Sequence, residues 1–301
     1  MVKHFRDYHD DAPVWITLSS GDFYPDILPD ACELYQPVLV QFSKLLRESE
    51  SSSALLHNIN DVSQTWMRIQ LLRVFRKYVC PVISVEMLKK KSKVDEICKQ
   101  FGSEFRPISE VHKAFSSRPI PDEALCAILW EYKDRGKKGY DLTDKFFTMM
   151  AELFPEYTVN GPRGAGKDVE MGSVFVDYPN PKRPVDFVIY NHDKSTVYAI
   201  GLARYDSDRG GAQEDDRTGG YNSCADEILN YAKTHNLDLK VIFLNDGPGL
   251  LLGSMWEDYS HLEEKWDGKI MVLTLRMVKD RLDKEWIEGD SKDGDRDSNE
   301  S

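Results

Sequence analysis

The sequence predicts an α/β protein of the α+β kind: a mixed central β-sheet flanked by helices, preceded by a helical N-terminal region. Three observations predict it. From Ile27 to about Phe115 apolar residues recur at helical spacing. Beyond Pro155 the period changes, and EYTVNG, VEMGSVFVDY, RPVDFVIYN and STVYAIGLARY alternate or run apolar between turn residues. Further on, helical stretches and apolar strands take turns, as in a sheet covered by helices.

Residues 1–27 are aromatic and irregular. Ser63 can cap a helix from Gln64 to Tyr78, which Pro81 stops. VDEICKQFG (94–102) and ISEVHKAFSSR (108–118) are short helical stretches around a tight turn; Ser109 can cap the second, and the pair has the outline of a helix-turn-helix. Pro119 and Pro121 mark a boundary. Helices are expected from Asp122 to about Asp134 and from about Leu142 to Phe154, then the strands named above. A helix from about Asn222 to Thr234, the strand LKVIFLND, a helix from about Ser254 to Lys265 and the strand KIMVLTLRMV complete the chain's regular part. This gives a helical region over 1–118, a sheet domain over 119–287 and an acidic, apolar-poor tail over 288–301, with six acids against two bases.

Composition narrows the classes. The 301 residues are 41% apolar, enough for a substantial core, and no apolar run is long enough to cross a membrane. The N-terminus lacks the apolar stretch of a secretory signal. Five dispersed cysteines form no C-x-x-C pair, so neither a disulfide framework nor a zinc site is expected, and the cytoplasm is the expected compartment. The net charge of −12 opposes polyanion binding overall, but basic runs stand out at 68–77, 89–93 and 133–138. The histidines His57, His112, His192, His235 and His261 have no metal-ligand spacing.

Gly161-Pro-Arg-Gly-Ala-Gly-Lys167-Asp168 nearly matches a phosphate-binding loop. Asp168 stands where the motif needs Ser or Thr, and the β-branched, glycine-broken residues after it do not predict the required helix. A turn carrying Lys167 and Asp168 into a polar site is the better reading.

Asp186 interrupts the apolar strand RPVDFVIYN. An acid there is costly unless paired, and metal ligation is one reason to keep it. Asp168 and Glu170 are two apart, so on a strand they share a face. The stretch from Asp206 to Gly220 holds no apolar residue larger than Ala212 and reads as a surface loop rather than core. Arg204, Arg209 and Arg217 can meet phosphate or guanine, and Gln213 can meet adenine. The interleaved acids Asp208, Glu214, Asp215 and Asp216 can accept from cytosine, hold metal or orient the arginines. Lys137 and Lys138 add a basic contact upstream. Asn245-Asp-Gly-Pro-Gly249 reads as a turn.

RPVDFVIYN, AIGLARYDSDRGGAQEDDRTGG and KVIFLNDGPGLLLGSMW together resemble the PD-(D/E)xK nuclease superfamily, and more closely a group of restriction endonucleases. The resemblance covers about 120–280 and is strongest over 160–260. It implies a restriction-endonuclease-like fold and Mg²⁺-dependent hydrolysis of double-stranded DNA leaving 5′-phosphates. It also implies a homodimer and a cognate DNA methyltransferase, in a bacterial or archaeal cytoplasm. Asp186 would be a metal ligand with Asp168, Glu170 or Glu214, and Lys167 or Arg204 would supply the positive charge. One departure is plain: with Ile200 and Leu202 facing the core, the active face of VYAIGLARY holds Gly201, Ala203 and Tyr205, without the family's acid and lysine. Competing readings are a non-catalytic DNA-binding protein using 94–118, a nucleotide hydrolase using Gly161 to Lys167, and a repair or junction nuclease on the same fold.

Overall fold

The computed structural model describes residues 3–19, 21–133, 137–164, 166–207 and 215–289, without the side chains of 137–140 and 215–218. The chain divides into two units, one of residues 21–135 and one of 1–20 with 136–301. The expected boundary at 118/119 thus falls inside the helical unit, and the first twenty residues belong with the sheet.

The helical unit is built from α1 (Leu28–Arg47), α2 (Ser52–Asp61), α3 (Thr65–Tyr78), α4 (Val94–Phe101), α5 (Ile108–Ser116) and α6 (Glu123–Trp130). Each turns an apolar stripe inward. In α1 the stripe is Ala31, Tyr35, Val38, Leu39, Phe42, Leu45 and Leu46, spaced three and four apart. Asp122 caps α6 by accepting from the Leu125 N–H at 3.3 Å, and Arg118 holds that carboxylate at 2.7 Å. Leu125, Cys126 and Leu129 of α6 complete the same core as α1. The prolines at 119 and 121 therefore form a turn within the bundle. Neither serine cap appears: α3 starts from Gln64 and α5 from Pro107, with no side-chain cap on either. The two helices of the expected helix-turn-helix pack on different neighbours, α4 on α2, and α5 on α1 and α3.

The other unit carries a mixed five-stranded sheet in the order β1 (Tyr157–Asn160), β4 (Phe187–Asn191), β5 (Val197–Tyr205), β6 (Lys240–Asp246), β7 (Ile270–Leu273). β1, β4 and β5 are antiparallel; β5, β6 and β7 are parallel. A two-stranded ladder of β2 (Val169–Glu170) and β3 (Pro184–Val185) stands beside it. The helices are α7 (Lys137–Leu153), α8 (Asp215–Thr234) and α9 (Met255–Glu264). Every residue of β6 is buried, as expected of a central parallel strand covered on both faces.

Several expected elements are redrawn. VEMGSVFVDY gives two strand residues and then the helical turn Met171–Val174, because Gly172 sits against Pro181 with no room for a Cβ. KIMVLTLRMV leaves the sheet after Leu273. α8 begins at Asp215, so the end of the expected surface loop is helix. Phe5, expected in an irregular N-terminal region, stacks on Trp256 of α9 at 4.3 Å. Glu288, expected in the tail, accepts from the Tyr157 hydroxyl at 2.6 Å; residues 290–301 lie outside the described residues.

Candidate functional site

The two faces of β5 define the site. Phe187 packs on Phe146 and Phe147 of α7, and Gly201 lies opposite Phe187 in the ladder. A Cβ on Gly201 would come within 2.0 Å of the Phe187 ring, so glycine is required there. Alternation then puts Ala203 and Tyr205 on this α7 face as well. Tyr205 confirms it, its hydroxyl bonding to the Ser19 N–H at 2.6 Å and the Thr17 carbonyl at 3.1 Å. On the other face Tyr221 of α8 packs on Phe243, whose register partner is Leu202. Leu202, Arg204 and Asn245 therefore lie on the α8 face, the last two as direct partners across parallel strands.

Asp186 belongs to that second face. It falls between β3 and β4, where the sheet is interrupted, and its Oδ2 accepts from the Ala203 N–H at 2.8 Å. Its charge reaches Tyr221 and Cys224 of α8. Gly201, Ala203 and Tyr205 thus lie on the face away from Asp186, and Arg204 shares its side.

Three segments converge on Asp186. Gly161, at the end of β1, touches its carbonyl so closely that an added Cβ would sit 2.4 Å away. β2 pairs with β3 in the register Val169↔Val185 and Glu170↔Pro184. Continued by one residue, that register sets Asp168 opposite Asp186, and opposed residues share a face. Burial first, then the Asp168 charge, push the Asp186 carboxyl up to about 6, against the Ala203 hydrogen bond. The exposed Asp168 and the more buried Asp186 thus influence one another as like charges.

Arg204 is fixed by Asp206, whose Oδ1 accepts from Nε at 2.7 Å. Asp206 was expected in a surface loop, yet it is 4% exposed. Gly247 and Gly249 pack directly on it, and its N–H bonds to the Asp246 carbonyl at 2.8 Å. Asn245 is fully buried, and its Oδ1 faces the Tyr221 hydroxyl at 3.5 Å. Among the described residues its Nδ2 meets no acceptor, a costly arrangement unless a ligand oxygen completes it. Burial pushes the Cys224 thiol up to about 11, opposed by Arg183, which is paired with Glu227 of α8.

The remaining candidates divide. Glu170, two residues from Asp168, is held by Lys167 at 2.8 Å, which keeps its carboxyl below the ordinary range. Lys167 is 80% exposed. Asp208, Arg209, Gln213 and Glu214 lie outside the described residues. Asp215, Asp216 and Arg217 start α8, and Lys137 and Lys138 start α7, but their side chains are likewise outside the description. Among the described residues no group of three His, Cys, Asp or Glu side chains is gathered to hold an ion. The loop 161–168 leads into β2 rather than a helix, and Arg163 ties it to Asp144 of α7 at 2.9 Å.

Sequence reasoning missed Tyr221, Cys224 and the burial of Asp206, and read Asn245 as part of a turn. Asp206 and Asn245 had one signal, their position at the C-terminal ends of β5 and β6, where open α/β sheets place ligands; Tyr221 and Cys224, on α8, had none. No family model, no curated protein and no solved structure matches this chain.

Proposed function

We propose that this protein is a Mg²⁺-dependent endonuclease of the restriction type acting on double-stranded DNA. What supports this reading is the nearness of Asp168, one residue before the β2–β3 ladder, to Asp186, whose carboxylate bonds the Ala203 N–H beside Arg204. Two carboxylates suit Mg²⁺, which keeps much of its water shell and needs few protein ligands. In this reading Asp168 and Asp186 hold the ion, with Glu214 a further candidate ligand. When bound, Mg²⁺ neutralises phosphate charge and acidifies a coordinated water.

The chain's own contribution is electrostatic. Arg204, locked by Asp206, meets the negative charge that grows on the phosphate. Arg204 thus takes the part of the family's lysine. Water adds to phosphorus, the P–O3′ bond breaks, and the products are a 3′-hydroxyl and a 5′-phosphate. A homodimer reading a palindromic site, a partner methyltransferase, a restriction-endonuclease-like fold and a cytoplasmic setting belong to the same proposal.

Incubation with bacteriophage DNA and Mg²⁺ tests it. Discrete fragments are expected from the parent protein, and none from Asp168→Asn or Asp186→Asn, both of which should still shift DNA mobility. Fragments from Asp186→Asn at the parent's rate would remove the site. A mobility shift without cleavage by the parent would leave a DNA-binding protein.

A further inference from the structure

In the helical unit, charge is segregated. Residues 21–135 contain 16 acids and 16 bases, so the whole net charge of −12 belongs to the rest of the chain. Yet the 33 residues between Asp61 and Asp95 hold eight lysines and arginines against a single acid, Glu86. Glu86 is itself engaged by Lys89 at 2.5 Å.

The fold gathers these cations. α3 buries Gln70, Leu71, Leu72, Val74 and Phe75, which turns Arg73, Arg76 and Lys77 to the opposite half of the helix. Arg76 bonds the Pro81 carbonyl at 2.8 Å and so lies over the turn that leads to the short helix Val85–Leu88. That helix packs on α3 and on the turn Lys91–Lys93, where Lys90 and Lys91 are exposed. The far end of the face is aromatic: Arg73 lies over the Tyr132 ring at 4.9 Å, and Lys133 over Trp130 at 3.5 Å.

We propose that this face of α3, with the adjoining 85–93 segment, docks on the phosphate backbone of double-stranded DNA. The inference rests on the DNA-substrate reading above and adds to it a second anchoring surface, on the unit that does not carry Asp168 and Asp186. Lys89 and Lys93 are paired with Glu86 and Glu96, and the remaining excess of cations over acids on this face suits a regularly spaced polyanion. An acidic enzyme needs such a local site to hold its substrate against net repulsion. The surface meets only the DNA backbone, so it contributes affinity without sequence preference.

The test is fluorescence anisotropy of a labelled 30-base-pair duplex, in EDTA so that no strand is cut, over a range of NaCl. The variant K77Q/K90Q/K91Q removes three exposed cations. K44Q/K99Q/K113Q, elsewhere on the same unit, makes the same charge change. The first should weaken binding at least tenfold and flatten the slope of log K against log salt by about 3, since each neutralised phosphate adds about 0.9 to that slope. The second should leave the slope unchanged. Circular dichroism melts of both should match the parent, so that weaker anisotropy reflects binding and not unfolding. If both triple variants bind alike, the surface assignment falls while cleavage by the parent keeps the nuclease reading. A flattened slope in a protein that cuts nothing supports the surface and sinks the nuclease. A parent that binds no duplex, or prefers an RNA duplex of equal length, overturns the surface assignment.

Discussion

Asp186 is the side chain on which the proposed function most depends. Its carboxyl is pushed up to about 6 from an ordinary 3.8, first by burial and then by Asp168. An acid raised in the folded state holds its proton more tightly there than in the unfolded chain. Its ionisation therefore costs stability as pH climbs from roughly 4 to 6, and the cost persists above. In EDTA at pH 7.5, Asp186→Asn should be more stable than the parent by about 3 kcal/mol, since each pKa unit is worth about 1.4 kcal/mol. At pH 4 the two should nearly coincide. Denaturation curves at both pH values check this; a variant less stable at pH 7.5 would make Asp186 an ordinary structural acid. Arg204 is the second decisive residue. Arg204→Gln should lower the turnover of DNA by about 100-fold, the scale of losing one preorganised charge donor. Single-turnover cleavage with saturating enzyme separates that from weakened binding.

Among the elements, the segment before residue 20 and the end of β6 depend on one another. Asp246 is fully buried and accepts from the Thr17 N–H at 2.6 Å, the Thr17 hydroxyl at 2.9 Å, the Gly247 N–H at 2.7 Å and the Leu275 N–H at 3.0 Å. The turn expected at Asn245 to Gly249 is thus also the clamp that joins the N-terminal segment to β6 and β7. Asp246→Ala strands several buried donors and should cost about 3 kcal/mol or more. Urea denaturation measures it, and an undiminished midpoint would remove the clamp. The Glu263–Arg281 pair at 2.7 Å does related work, since Glu263 also accepts from the Phe5 N–H at 2.8 Å. Sequence patterning located most strands and helices because burial on one face leaves a period. It failed where a local contact overrode the period, as at Gly172 against Pro181.

For the whole molecule, two units with separate cores predict two calorimetric transitions. Mg²⁺ should raise the transition that Asp186→Asn shifts in EDTA and leave the other in place, because a ligand stabilises only the unit that binds it. The Mg²⁺ effect should vanish in Asp168→Asn. Equal movement of both transitions, or persistence of the effect in that variant, would place the ion elsewhere.

By itself the sequence determined a mixed sheet flanked by helices, a helical region ahead of it, and the singling out of Asp186, with Asp168, Glu170 or Glu214 and Lys167 or Arg204 left as alternatives beside it, because periodicity and a charge within an apolar strand are written locally. It could not assign the first twenty residues to the sheet unit, bury Asp206, or place Tyr221 and Asn245 beside Arg204. Those follow from contacts between residues far apart in the chain. The face of β5 was likewise decided only by tertiary structure: alternation gives two sides, and the packing of Phe187 on α7 and Tyr221 on Phe243 chooses between them.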